Sequence, residues 1–182
     1  MKRLLLILVF YLFSQTSSFA NDRDVRLNQL FNELRVNKAK VASIVEQEIW
    51  KIWSTHPTDE KLTIRLEEGS QFVRDQKFSK AIDIFTEVIN LDQNWAEAWN
   101  KRATVFYLIG EFKKSQDDID KVLAIEARHF GALAGQGLVN IQLKNYEKAI
   151  LSYEQAKEIH PSMQSPEIMI RQIEELIKQQ SI

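Results

Sequence analysis

The sequence predicts an all-α protein built as a solenoid of helical hairpins, with an N-terminal helical hairpin and a C-terminal capping helix. Three observations support this fold class. Only five Gly and three Pro interrupt a chain of 182 residues, so long helices are favoured. A residue pattern recurs every 34 residues in the centre of the chain. Apolar residues at helical spacing flank this central part on both sides.

Composition narrows the possible functions. The formal net charge is −1, from 24 basic and 25 acidic residues. Nucleic-acid-binding proteins normally carry a basic face, so we expect no nucleic-acid partner. The chain contains no Cys, which excludes disulfides, thiolate zinc sites and a Cys nucleophile.

The first segment, 1–20, has the pattern of a secretory signal peptide. Lys2 and Arg3 precede an apolar run over 4–13, and Ser18-Phe19-Ala20 places small residues at both positions read by signal peptidase. The run is shorter than the roughly 20 residues that a membrane span needs. We expect cleavage after Ala20 and a periplasmic or secreted protein without an integral membrane span. An uncleaved anchor is the alternative.

The central repeat is visible at several positions of the 34-residue unit. Aromatic, small and large apolar residues recur in register, as in Phe78, Phe112 and Tyr146; Ala81, Ser115 and Ala149; Gly69, Ala103 and Gly137; and Phe85, Ile119 and Tyr153. Small residues allow two antiparallel helices to approach closely, and large residues fill the wider gaps beside them. One such hairpin cannot bury its apolar face alone, so successive hairpins are expected to stack.

This pattern resembles the tetratricopeptide repeat (TPR) family, with repeats at about 62–95, 96–129 and 130–163 within 59–163. The matches to the family's positions are Trp99, Phe72, Phe106, Ala81, Ala149, Phe85, Tyr153, Ala156 and Pro161. Gln93 and Ala127 replace the terminal Pro, and Asn140 replaces an aromatic residue. The resemblance implies a right-handed solenoid that binds proteins. The chain is also similar to short exported TPR proteins of alphaproteobacteria, which implies a periplasmic setting without a known activity.

Both flanks are predicted to be helical. Apolar stripes over 21–58 predict a hairpin with its join near Asn37, which we expect to pack on the first repeat as an N-terminal cap. Ser165 and Pro166 suit a helix start, and an amphipathic stripe follows them. Residues 164–182 are therefore predicted to form the solvating helix that a repeat array needs at its end.

Catalytic, cofactor and metal sites are not predicted. His56, His129 and His160 lie far apart in the repeat register, without metal-ligand spacing. We expect His56 to be solvated in a linker, His160 to be structural, and His129 to open a helix near the binding groove. The acidic residues Asp117, Asp118 and Asp120 diverge around a helix and are interpreted as a solvated face.

A polar residue precedes the small residue in all three repeats, at Glu68, Arg102 and Gln136. Arg102 shares a helix face with Trp99 and should point inward, where an unpaired guanidinium is costly. We therefore predict a carboxylate partner for it, Glu68 first and Asp118 second. The alternative is that its head reaches water along a buried stem.

In TPR proteins the first helix of each repeat lines a concave groove. The resemblance implies that the groove residues here are Arg74, Glu97, Asn100, Thr104, Tyr107, Ala134, Leu138 and Gln142. Some family members hold a terminal carboxylate with Lys and Asn residues, but the corresponding positions here are Leu66, Ser70, Lys101, Gly131 and Gly135. Lys101 is the one cation among them, so an extended peptide or a partner helix fits better.

The leading functional hypothesis is that the protein is an adaptor or scaffold of the cell envelope. We expect that it is not an enzyme. The alternative is a structural protein of the envelope that associates with itself through its flanking helices. The sequence does not identify the partner.

Overall fold

The computed structural model describes residues 22–36 and 39–180, so the predicted signal peptide lies outside it. The described residues form nine helices and no strand, which confirms the all-α prediction. The helices are α1 (22–36), α2 (Ala39–Ser54), α3 (Glu60–Arg74), α4 (Phe78–Leu91), α5 (Ala96–Leu108), α6 (Phe112–Ile125), α7 (Phe130–Gln142), α8 (Tyr146–Ile159) and α9 (Gln164–Gln180).

The three central hairpins are α3–α4, α5–α6 and α7–α8, and they stack in chain order. Small residues allow the two helices of each hairpin to pack closely. A Cβ on Gly69 would lie 2.5 Å from Phe85 Cε1, and one on Gly137 would lie 2.5 Å from Tyr153 Cε2. In the middle hairpin, Ser115 Oγ instead donates a hydrogen bond of 2.8 Å to the Ala103 carbonyl. The ring of the second helix thus occupies the space that a side chain on the first helix would need.

The turns inside the hairpins repeat the same geometry. Gln76, Gly110 and Lys144 occupy equivalent positions and have φ values of 59°, 81° and 60°. The N–H of the following residue donates back over five residues to the helix, with a distance of 2.8 Å in each repeat. This left-handed helix ending satisfies carbonyls that the helix leaves free, and it turns the chain into the second helix.

The N-terminal hairpin, α1–α2, is placed differently from the prediction. It does not pack on the first repeat alone, because α2 crosses the junctions that follow all three repeats. Trp95 Nε1 donates to the Trp53 carbonyl at 2.8 Å at the first junction. The Trp50 ring lies 5.5 Å from that of Phe130 at the second, and Glu46 meets a third-junction residue, His160, at 3.2 Å. We call this contact of α2 with 92–95, 126–131 and 159–163 the seam.

Apolar packing explains why the hairpin lies there. Its buried stripes, Leu27, Leu30, Phe31, Leu34, Ala42, Val45, Ile49 and Trp53, form one cluster with Phe130, and Trp50, Ile52, Ile159 and Met163 pack against it. A stripe of this width must be covered, and the junctions offer aromatic residues at matching intervals. The hairpin therefore extends the core of the protein along one edge of the array.

At the other end, α9 covers the last repeat. Ile173 is fully buried in a cluster with Ala149 and Tyr153. The helix begins at Gln164, so Ser165 and Pro166 lie inside its first turn rather than at the predicted cap, where Pro is still tolerated. Within 22–36 and 39–180, no helix is long and apolar enough to cross a membrane.

Candidate ligand pocket and the seam beside it

A small pocket lies between α5 and α7, the first helices of the second and third repeats. Its volume is about 80 Å³, and its lining consists of Asn100, Ala103, Thr104, Tyr107, Ser115, Ile119, Gly131, Ala132, Gly135 and Leu138. None of these lining residues is charged. A Cβ on Gly135 would meet only Ile119 Cδ1, at 3.7 Å, so this glycine leaves open space at the pocket rather than a close contact.

The structure brings together four of the predicted groove residues, Asn100, Thr104, Tyr107 and Leu138, in this pocket. Thr104 Oγ1 donates to the Asn100 carbonyl at 2.9 Å, and the Tyr107 ring packs against Phe112 with centroids 5.6 Å apart.

The other predicted groove residues lie outside the pocket lining. Arg74 is exposed on α3, where it pairs with Glu67 at 2.6 Å. Gln142 is exposed in the last turn of α7, and Ala134 packs into the cluster beneath α9.

Glu97 is not a groove residue, contrary to the prediction. Its side chain is 0% exposed, and Oε2 accepts hydrogen bonds from His129 Nε2 at 3.1 Å and from Asn100 Nδ2 at 3.0 Å. Burial raises the pKa of Glu97, but the hydrogen bond from His129 and the nearby Lys101 outweigh it and hold this pKa below its ordinary value. The carboxylate is therefore charged at neutral pH and belongs to the buried support of the pocket.

Lys101, the single cation at the terminal-carboxylate positions, also forms an ion pair with Glu97. Its Nζ lies 3.3 Å from Glu97 Oε1. Its charge thus balances a buried carboxylate of the same helix. This contact gives a structural reason for the prediction that a peptide's terminal carboxylate is not the ligand.

The histidines lie in the seam or beside it, and two expectations need correction. His56 is buried rather than solvated, and its Nε2 meets Asp92 Oδ2 at 2.9 Å. His129 is the N-cap of α7, as a helix-opening residue should be, but it is 0% exposed and stacks on Trp53 with centroids 4.0 Å apart. It therefore cannot contact a ligand in the groove. His160 is structural, being buried against Glu46.

The sequence analysis did not predict the seam, although the junction residues on one side of it recur at the repeat spacing. Asp92, Glu126 and His160 are 34 residues apart, as are Trp95, His129 and Met163. These two rows mark the same place in successive junctions. Large aromatic and charged residues at the junctions of a repeat array can pack against another helix. The two Trp residues of α2 lie on one apolar face, which suits such a contact.

Arg102 pairs with Asp118, the second of its two predicted partners. Nε and Nη2 donate to the two oxygens of Asp118 at 2.8 Å each, and Nη1 donates to Thr86 Oγ1 at 2.9 Å. Glu68, the first choice, lies on the exposed side of α3 and pairs with Arg65. Asp118 is thus buried, which corrects the interpretation of the acidic residues of α6 as wholly solvated.

Trp99 packs beside Arg102, as predicted, and its ring centroid lies 5.1 Å from the guanidinium carbon. In the described part of the chain, no group of three His, Asp or Glu side chains could hold a metal ion. The polar clusters found here are hydrogen-bonded within the fold.

Three hairpins of one period, joined through small residues and closed by a flanking helix, define a helical-repeat solenoid. The comparisons with known proteins place it more narrowly. A tetratricopeptide repeat profile matches residues 131–163. A TPR repeat-containing protein of Rhizobium etli is 30% identical over 151 residues, which are 82% of this chain and 74% of that protein. The chain belongs to the tetratricopeptide repeat family.

Solved structures agree on the fold. The first TPR domain of Spaghetti (RPAP3), bound to the HSP90 peptide SRMEEVD, superposes with a TM-score of 0.63 at 21% identity. The match covers 65% of this chain and 94% of that domain. The MamA protein gives a TM-score of 0.59 at 19% identity over 88% of this chain and 81% of its own. The MamA match thus extends beyond the 105 residues of the predicted repeats, 59–163.

Proposed function

We propose that the chain is an exported adaptor that binds an extended segment of another protein in the pocket between α5 and α7. The observation that carries this proposal is the pocket itself. It lies between the first helices of two TPR repeats, and four residues selected from the sequence line it. The peptide held by the RPAP3 domain supports the same general mode of binding.

The chemistry of the pocket narrows the ligand class. The HSP90 peptide of the RPAP3 complex is acidic at its end, whereas the lining here is neutral and Lys101 is already paired. An acidic tail would lose its hydration without gaining a cation. The proposed ligand is therefore an uncharged segment with one small apolar side chain, which Leu138 and the two glycines would surround, while Asn100 and Thr104 bind its backbone.

Capture of partners from a cell-envelope extract tests this proposal. Residues 21–182 would be immobilised beside a Tyr107→Ala, Asn100→Ala double variant, and retained proteins identified by mass spectrometry. Because Asn100 also bonds Glu97, Tyr107→Ala alone is included, and circular dichroism checks that each variant is helical. The matched control is Leu151→Ala, Gln155→Ala on α8, since both residues are exposed and neither lines the pocket.

A protein retained by the wild type and the α8 variant, but bound at least about tenfold more weakly by the pocket variants, supports the proposal; that factor corresponds to roughly 1.4 kcal/mol. Equal retention by all variants would show that the pocket is not the binding surface. Export is tested separately, since a secreted form must lack residues 1–20 by mass.

Self-association is the second candidate function. The observation that favours it is a group of exposed apolar residues, Val36, Val41 and Ile44, on the N-terminal hairpin. Sedimentation of residues 21–182 at several concentrations separates the two candidates. A mass that rises with concentration and falls on Ile44→Asp favours self-association, whereas a constant monomer mass removes it.

A further inference from the structure

His129 and His160 lie in the seam and His56 lies beside it, and each ring is held between two partners. On one side, Nε2 faces a carboxylate: Asp92 for His56, Glu97 for His129 and Glu46 for His160. On the other side, Nδ1 faces a hydrogen-bonding group that lies two or three residues later in the chain. The protein holds three histidines in all, so none lies outside this arrangement.

The partners fix the tautomer of two of these rings. Nδ1 of His129 accepts the Ala132 N–H at 3.0 Å, and Nδ1 of His56 accepts the N–H of Asp59 at 2.9 Å and that of Thr58 at 3.3 Å. A backbone N–H can only donate, so Nδ1 must be unprotonated and the single proton lies on Nε2. Both rings are therefore neutral, with both nitrogens satisfied.

We propose that the seam is a proton-sensitive latch, in which protonation of His56 and His129 releases the α1–α2 hairpin from the repeat junctions. The second proton must bind Nδ1, where it would point at a backbone N–H. The capping bond of α7 is then lost, and two donors face each other in a site that water does not reach, because His129 is 0% exposed.

A protonated ring would be attracted to its carboxylate, but this attraction is limited at both sites. Glu97 already receives the Nε2 proton and is already balanced by Lys101, whose Nζ lies 3.3 Å away. Asp92 is partly exposed, so water screens its attraction to a charged His56. At His129, a further positive charge would therefore be buried beside a carboxylate that Lys101 already balances.

The other charged groups near the two rings do not change the expected effect of protonation on the seam. Around His129, α2 contributes the uncharged Trp50 and Trp53, and Arg128 of the junction is paired with Glu126. Around His56, the charged side chains on neighbouring elements are Arg23, Arg26, Glu48, Lys51 and Asp59. With Asp22, which lines the same cleft, this set contains three positive and three negative groups, so it does not favour either state of the ring.

His160 provides a built-in control. Its Nδ1 faces a hydroxyl, Ser162 Oγ, at 3.4 Å. A hydroxyl can rotate to accept a hydrogen bond as well as donate one, so this ring can take up a proton without losing a partner. Its protonation would only strengthen the contact with Glu46, and it is not part of the release.

Amide hydrogen exchange with mass spectrometry tests the latch on residues 21–182. Exchange is compared at pH 7.5 and pH 5.5, between which histidine ordinarily titrates, after correction for intrinsic rates. We expect exchange in α2 to increase about tenfold more than in α8. The variants His56→Asn and His129→Asn keep an acceptor at the position of Nδ1 but cannot be protonated, so their combination should keep α2 protected at pH 5.5.

His160→Asn should lose protection of α2 at pH 5.5 as the wild type does. Equal changes in α2 and α8, or loss of protection in the double variant, would overturn the proposal. If the double variant is not helical at pH 7.5, His56→Asn alone is used and should reduce the pH effect. A wild-type transition below about pH 4.5 would assign the effect to carboxylates and also overturn it. The latch does not depend on what the pocket binds.

Discussion

Removing the Asp118 carboxylate should destabilise the protein far more than removing its neighbour on the same helix. Asp118→Ala leaves the Arg102 guanidinium between α4, α5 and α6 without the two hydrogen bonds of 2.8 Å that balance its charge. The matched change is Asp117→Ala, because Asp117 is exposed one residue earlier on α6.

The structure sets the size of the effect. Breaking a buried ion pair by removing one partner costs about 3–5 kcal/mol. Here the Arg102 side chain is 16% exposed and keeps Thr86 and the Trp99 ring, so the cost falls at or below the lower limit of that range, about 2–3 kcal/mol. For a chain of this length, that corresponds to a decrease in melting temperature of about 4–12 °C. Asp117→Ala should change the free energy of unfolding by less than about 0.5 kcal/mol.

Urea unfolding followed by circular dichroism gives both free energies, provided that each variant unfolds in one transition. A third variant, Arg102→Met with Asp118→Leu, replaces the pair with apolar residues and should recover most of the loss. Equal stability of the Asp118 and Asp117 variants would refute the buried pair. A double variant as unstable as Asp118→Ala would show that the loss comes from packing rather than from the unpaired charge.

Three further predictions concern packing, each measured by urea unfolding unless stated. Gly137→Ala should cost about 1–3 kcal/mol, because its Cβ would overlap the Tyr153 ring, whereas Gly135→Ala should be neutral or stabilising by up to about 1 kcal/mol, since its Cβ has room in a helix. Ile173→Ala should cost about 2–4 kcal/mol because this residue of α9 is fully buried against the last repeat. Ile168→Ala, at an exposed position of the same helix, should cost less than about 1 kcal/mol. Gly131→Ala would bring a Cβ within 2.5 Å of Trp50 Cη2, so limited proteolysis should cut within α2 faster than in Gly135→Ala if the seam is as described.

The fold class was accessible from sequence because it depends on a period. Small residues at 69, 103 and 137 obey this spacing because each lies where two helices pack closely. Aromatic residues at 78, 112 and 146 obey it as well, since each begins the second helix of a hairpin. The helices of the hairpins follow from that spacing even where single positions depart from the family pattern. Asn140, for example, is polar and buried, yet it is satisfied by its own helix through the Gln136 carbonyl.

The seam could not be derived in the same way, because α2 contacts residues up to 114 positions away along the chain. Local patterns describe which face of α2 is apolar, but they do not say which surface covers it. The position of Glu97 shows the consequence. A groove position in the family register is buried here because His129 and Asn100 hydrogen-bond to it from the junction and from its own helix.

The partner of Arg102 shows a second limit. Glu68 and Asp118 are both acidic and both lie within one repeat of Arg102, so charge alone does not rank them. The direction of each side chain decides, since Glu68 points away from α5 toward Arg65. Such directions depend on the rotation of neighbouring hairpins, which the spacing of residues does not determine.

The path of α2 along the seam also affects how the chain can fold while it is being made. In a simple repeat array each unit contacts its neighbours, so units can fold in the order of synthesis. Here the contacts of Glu46 with His160 and of Asn28 with Arg128 can form only after the later residue of each pair has been synthesised. The hairpin is synthesised before the repeats, but its docking can be completed only when the third junction has emerged, and part of its apolar surface stays uncovered until then. Folding of this protein is therefore expected to be slower than that of an unlatched array of equal length and to need protection of its N-terminal segment.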